Sequence, residues 1–423
     1  MALKKSSGSS EDTGTIIRFT LTSFTCFCLA LVAGALLFSY ALNRFPGFHP
    51  HPTAAQPSAG VVVGKPGPWG EFMVQEIQLE RPQEYIEFET KTNRQVTWNL
   101  GTTAPEQARA LLVNSGFTPE QTERALSPKC LQVTPARTTI LPDDDLVRAL
   151  SPQVRSRLYT ELALLPDNPR QSIPLICPPE VVLDLIAECA FDAPTATAFK
   201  KLLYQFKDQT CFSDQEIMLR LIPTAESRSH FMQFILRQPA LLVRVKINPD
   251  SDIDKLLGYW AAPAKGVRFL DARPLLDSLK RNPGGGSASL LYLLPNFARQ
   301  RLNTFPVLTM NGETTKMNCH WSTFNFFNDV PDDRFADMGY LNKNLIENYY
   351  QIAAPSTYGD VILVLDGKNN LIHSAVHIAD DIVFTKNGAA YQQPWVLMHL
   401  KDVLHIYTLT PGLHTSVWRN KST

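Results

Sequence analysis

Cys319 and His373 are the two side chains whose types and order suggest covalent chemistry carried out together. A thiolate attacks amides and esters once a neighbour has taken the thiol proton, and an imidazole is suited to that task near neutral pH. Around the thiol the chain reads Met317-Asn318-Cys319-His320-Trp321-Ser322-Thr323-Phe324-Asn325-Phe326-Phe327, with apolar side chains at 317, 321, 324 and 327. That spacing predicts a buried helix. Cys319 falls in its first turn, where free backbone N–H groups and the positive end of the dipole favour a thiolate. His373 follows 54 residues on, within three apolar runs at 360–365 (DVILVL), 371–379 (LIHSAVHIA) and 382–385 (IVFT). These predict consecutive strands, with turns at 367–370 and at Asp380-Asp381. Residues of equal parity share a strand face, so His373, Ala375 and His377 point one way, and the small Ala375 leaves room beside them. A lone cysteine is more often an inert buried thiol, and a lone strand histidine an ordinary hydrogen-bonded side chain; only their pairing points to catalysis.

An imidazole base needs a third group to orient it. The last predicted strand offers Thr385, Lys386 and Asn387. A lysine cannot accept the ring N–H whereas an amide can, so Asn387 is preferred to Thr385. Asp380 and Asp381 read as turn residues. The backbone N–H of Cys319 would help form an oxyanion hole.

The order of three segments resembles the NlpC-type superfamily of papain-like cysteine peptidases. Asn318–Trp321 (NCHW) stands for the family's DCSG-like helix start with the nucleophile, 359–362 (GDVI) for its GD(L/V)-type strand, and 373–381 (HSAVHIADD) for the HVGIY-like strand with the base. The resemblance covers about residues 300–407. It implies a nucleophile helix packed on an antiparallel sheet, and cleavage of peptide bonds in the stem peptides of bacterial cell wall, without metal or cofactor. Three departures bear on specificity: Asn318 replaces an acid, His320-Trp321 replace a small Ser-Gly pair, and His377 stands where tyrosine is common. Two other readings remain. One is transglutaminase or acyltransferase chemistry; the other is a membrane-tethered binding or scaffold protein whose papain-like domain is inactive.

Other parts of the chain must position this domain. Residues 19–42 carry no charge over twenty-four positions. As a helix they would span about 36 Å, enough to cross a bilayer. Lys4, Lys5 and Arg18 precede the run and Arg44 follows it, which predicts a cytoplasmic tail at 1–18 and export of everything after Leu42. A cleaved signal peptide is less consistent with so long a run. Residues 43–70, rich in Pro, Gly, Ala and Ser, read as a linker, in which His49 and His51 are solvated residues. The bilayer and a cell-wall or other peptide are the expected partners. Forty basic and forty acidic residues cancel, which argues against a nucleic-acid partner, and the oligomeric state stays open.

Residues 71–290 read as a mostly helical middle domain with a small antiparallel sheet, and 291–423 as the hydrolase domain, an α+β chain overall. Alternation predicts strands at 74–79 and 85–89, and LLVRVKI a further one at 241–247. Helix starts are expected near Thr103, Thr118 and Ser213, and a break at 283–286 (PGGG). The acid triplet Asp143-Asp144-Asp145 reads as a helix start rather than a metal site. Cys26 and Cys28 lie in the apolar run. Cys130, Cys177, Cys189 and Cys211 are either two disulfides or four buried thiols.

Overall fold

The computed structural model describes residues 60–422 apart from 92–94, 166, 207, 262–268, 308–316, 354–355 and 409. The proposed membrane run with Cys26 and Cys28, and the linker histidines, lie outside the described residues. Among the described residues no helix is long and apolar enough to cross a membrane.

Alternation at the start of this region does what a half-buried strand requires. Strand β2 (Glu71–Leu79) pairs antiparallel along its length with β3 (Gln238–Ile247), which contains the LLVRVKI run. In β3, Leu241, Val243, Val245 and Ile247 are buried while Leu242 is exposed, so one face meets a core and the other solvent. β1 (Val62–Val63) and β4 (Gly286–Ser289) complete a sheet of order β1-β2-β3-β4. The predicted break precedes β4, and Gly285 takes a φ of 69° there, a conformation that favours glycine.

The strand expected at 85–89 is instead part of a helix, α1 (Gln83–Lys91). Tyr85 and Ile86 are both buried although adjacent. A strand would turn them to opposite faces, whereas a helix advances only about 100° per residue and keeps them on one side. Tyr85 also ties this segment to the C-terminal region: its hydroxyl donates to Pro306 O, and its ring meets Phe305 and Tyr391 edge-on at 6.0 and 5.4 Å.

Helices between residues 105 and 236 enclose a core that includes Trp98, Leu112, Tyr159, Leu185, Phe199 and Phe231, with two small three-stranded antiparallel sheets beside it. Thr118 forms the expected capping box with Gln121. Ser213 does not cap; its hydroxyl donates to Arg170 O at 2.8 Å, and the helix begins after Asp214. In the acid triplet Asp143 caps a helix by accepting from Leu146 N at 2.9 Å. All three acids pair with arginines: Asp143 with Arg124, Asp144 with Arg220, Asp145 with Arg148. Cys130, Cys177, Cys189 and Cys211 are buried free thiols, and burial pushes Cys177 and Cys189 up to about 12.

The apolar cores divide the chain elsewhere than at residue 290. Strands β2 to β4 and helix α2 (Ile253–Ala261) share one core with the C-terminal region, from Phe72 and Val243 through Trp260 to Leu397. The first sheet buries its inner face there and not on the helical segment.

The C-terminal sheet contains β5 (Tyr349–Ile352), β6 (Val361–Leu365), β7 (Leu371–Ala379), β8 (Ile382–Lys386), β9 (Trp395–His399) and β10 (His414–Asn420), in the order β5-β10-β6-β7-β8-β9. Every neighbouring pair is antiparallel. Helix α3 (Cys319–Phe324) lies on one face, where Trp321 and Phe324 share a core with Val376, Ile378, Phe384 and Leu397. The other face carries Ile362, Ala375, Val383, Val396 and Met398 under helix α4 (Leu400–Ile406) and Tyr407. The fold is therefore mixed α+β, with helices against several antiparallel sheets.

Candidate active site

Cys319 opens α3 because the residue before it is a good cap. Asn318 Oδ1 accepts from Trp321 N at 2.8 Å, satisfying one of the free donors of the first turn. The bulky residues that follow the thiol have partners of their own. His320 Nδ1 meets Ser374 Oγ at 2.9 Å, and the Trp321 ring lies 5.3 Å from that of Phe297 while its Nε1 donates to Asp333 Oδ1 at 3.0 Å. Across the sheet, Trp395 Nε1 donates to Ser322 Oγ at 2.8 Å. These bonds fix the helix, and with it the sulfur, relative to β7 and β9.

Cys319 is 6% exposed. Burial is the largest influence and holds the thiol above its ordinary value; the backbone N–H groups of Ser374 and His320, the charge of Lys386 and the N–H of Cys319 itself offset part of that.

His373 lies on β7 as expected, fully buried. Its ring is engaged on both nitrogens. Nε2 is 2.9 Å from Thr385 Oγ1, and Nδ1 is 3.0 Å from the Tyr407 hydroxyl. Thr385 gives its proton to Asn387 Oδ1 at 3.3 Å, so Oγ1 accepts from Nε2–H and Nδ1 accepts from the Tyr407 phenol. Asn387 Nδ2 in turn donates to Met398 Sδ at 3.1 Å. Asn387 thus reaches the imidazole only through Thr385, the side chain weighed against it. Burial, and then the His320 charge, lower the His373 ring to about 3, so it is neutral at physiological pH.

His373 is not a hydrogen-bond partner of Cys319, although the Tyr407 hydroxyl on its Nδ1 lies within range of the Cys319 charge. The register of β7 with β6 pairs Val376 with Val361 and Ala375 with Ile362, so the two faces can be followed strand by strand. His373 shares its face with Ala375, opposite the face on which α3 packs its aromatic residues against Val376 and Ile378. Among the described residues no hydrogen bond joins the sulfur to the ring. The residue of β7 that hydrogen-bonds α3 is Ser374, one position on. A signal for this was present in the sequence: a helix with an aromatic stripe needs the more apolar strand face, and that face carries Val376 and Ile378.

His377, on the His373 face, is also buried, and desolvation lowers it to about 4. Asp360 of the Gly-Asp strand start is 2% exposed and takes two bonds from Arg419, each 2.8 Å, so it holds β6 to β10.

Lys386 cannot accept an imidazole N–H, but its charge reaches the Cys319 thiol. Its side chain has 0% exposure, and its parity puts it on the face with Phe384 that α3 covers. Nζ donates to Gly388 O at 2.7 Å and Ala390 O at 3.0 Å, and lies 5.9 Å from the Trp395 ring centroid. Among the described residues no carboxylate pairs with it, and no group of three or more His, Cys, Asp or Glu side chains could hold a metal. Comparison of the chain with protein-family models, with curated proteins and with solved structures gives no match.

Proposed function

We propose that the C-terminal region is a thiol hydrolase acting on peptide or amide bonds, with Cys319 as nucleophile, held outside the cytoplasm by the apolar run at 19–42. The observation that carries this reading is the seat of Cys319. A capped helix holds the sulfur against the sheet beside three backbone N–H groups that offset part of the burial raising its thiol. Such donors also serve the oxyanion of a tetrahedral intermediate. Cell-wall stem peptides are the proposed substrate, on the strength of the motif resemblance and of the proposed export.

In hydrolysis of short cell-wall peptides, Cys319→Ala should lose at least about a thousandfold in kcat/KM with thermal stability little changed. The activity should appear on the outer face of spheroplasts. Full activity in Cys319→Ala would exclude the nucleophile, and activity confined to the inner face would exclude the export.

One observation favours a second reading, a tethered binding protein: the His373 ring is spent on Thr385 and Tyr407. A wild-type chain that binds these peptides without turnover would select it.

A further inference from the structure

We propose that the side chains of His320 and Thr323 form an oxyanion hole, donating to the oxygen of the carbonyl group that Cys319 attacks. This deepens the hydrolase reading and rests on Cys319 being the nucleophile.

The polar side chains of α3 divide into spent and unspent. Ser322 Oγ donates to Asn318 O at 2.8 Å and accepts from Trp395 Nε1, and Trp321 Nε1 donates to Asp333. Two polar atoms of the helix are left over among the described residues. Thr323 is 3% exposed, and its hydroxyl has no partner. His320 is 6% exposed and bonds through Nδ1 alone, to Ser374. Buried polar groups in folded proteins are paired with few exceptions, so two unspent on one short helix point to a ligand that pairs them.

Hydrogen-bond valence makes both of them donors. Ser374 is fully buried and its hydroxyl has no other acceptor among the described residues, so its O–H donates to His320 Nδ1. The ring proton of neutral His320 then sits on Nε2. Burial lowers this imidazole to about 4, so it stays neutral at physiological pH. His320 Nε2–H and the Thr323 O–H are thus free to donate.

Helix geometry brings them to the thiol. Residue 323 is four positions from 319 and three from 320, the spacings that make neighbours on a helix surface, about 5–6 Å apart at Cβ. Helical side chains lean toward the N-terminus, so the Thr323 hydroxyl lies over the turn that carries Cys319 and His320. Ser374 meets the same patch from the sheet, with its Oγ on His320 and its backbone N–H beside the sulfur. When a thiolate adds to a carbonyl, the sulfur–carbon bond forms, the carbon–oxygen π bond breaks and its electron pair moves to oxygen. Fixed donors in a buried place stabilise that charge without giving up their protons.

The test uses N-acetylalaninal, a minimal peptide aldehyde whose carbonyl adds a thiol to give a hemithioacetal, followed by NMR of the labelled aldehyde carbon. The native chain should form the adduct and Cys319→Ala should not. His320→Leu and the isosteric Thr323→Val should each weaken the adduct at least about tenfold, while His320→Gln, which keeps an N–H donor, should stay within about threefold of native. Iodoacetamide reacts by displacement of iodide and builds no oxyanion, so it should alkylate Cys319 in every folded variant within about threefold of the native rate. An adduct of native strength in either His320→Leu or Thr323→Val would overturn the assignment of that side chain and leave the hydrolase reading standing. Alkylation lost together with the adduct would show that the substitutions displace the thiol, and would overturn the hole as well. A native chain that adds no aldehyde would remove the hydrolase reading and the hole with it.

Discussion

Lowering the pH from 7 to 5 should cost the folded chain on the order of 5 kcal/mol, because three buried histidines of one domain refuse protons that the unfolded chain accepts. His320 and His377 are drawn down to about 4 and His373 to about 3, each chiefly by desolvation. A group whose pKa is depressed on folding contributes stability that is fully present above its unfolded value, about 6.5 for histidine, and is lost as pH falls toward its folded value. The window therefore runs from about pH 6.5 to between 4 and 3. Each histidine contributes a slope of up to about 1.4 kcal/mol per pH unit within it. Asp332, held down to about 2 by Arg334, titrates below the window. Urea unfolding at pH 7, 6 and 5 should show stability falling steeply, with a slope approaching three protons between pH 6 and 5. His373→Gln, which keeps an amide between Thr385 and Tyr407, should reduce that slope by about one proton. A stability independent of pH over this range would mean that the three rings are not buried as described.

The second large effect belongs to the helical segment. Arg155→Met should destabilise the protein by about 3–5 kcal/mol, since it strands a buried carboxylate. Arg155 is 0% exposed and Asp214 1%, with Nε 2.9 Å from Oδ2. The guanidinium also donates through Nη2 to Val147 O at 2.7 Å and through Nη1 to Lys201 O at 3.0 Å. These carbonyls lie in the last turns of two helices, where the helix supplies no partner of its own. Tyr159 donates its hydroxyl to the remaining Asp214 oxygen. Combining Arg155→Met with Asp214→Leu should recover part of the loss, because the orphaned charge is then removed. Denaturant unfolding of the single and double variants checks this. A single variant within about 1 kcal/mol of the native chain would show that the pair carries no such burden.

Local signals were legible in the sequence where period and cap agreed. The helix at Cys319 and the strands at 361–365, 371–379 and 382–386 followed from apolar spacing and turn residues, as did the capping box at Thr118. Alternation misled at 85–89, because a helix with two adjacent buried residues and a glutamate-rich remainder mimics the period of a strand. Pairing at long range was not legible: nothing local tells β2 that its partner is β3, beyond the helical segment.

The site was half legible for the same reason. Parity told which residues share a face, but the choice of face depends on what covers it, and the cover is a tertiary fact. Tyr407, which takes one nitrogen of His373, follows the helix after the last predicted strand and carries no motif. Lys386 stands beside Thr385 in the sequence, but its burial under α3 follows from what covers that face of the sheet.

Alkylation of the native folded chain, resolved thiol by thiol by peptide mass mapping, tests most directly whether Cys319 is the working nucleophile. At pH 7.5 iodoacetamide should modify Cys319 at least about tenfold faster than Cys177, Cys189 and Cys211, whose thiols burial holds near 11 to 12 without the backbone N–H donors that offset burial at Cys319. Rates that are equal across these thiols, or slowest at Cys319, while the protein remains folded would contradict the account.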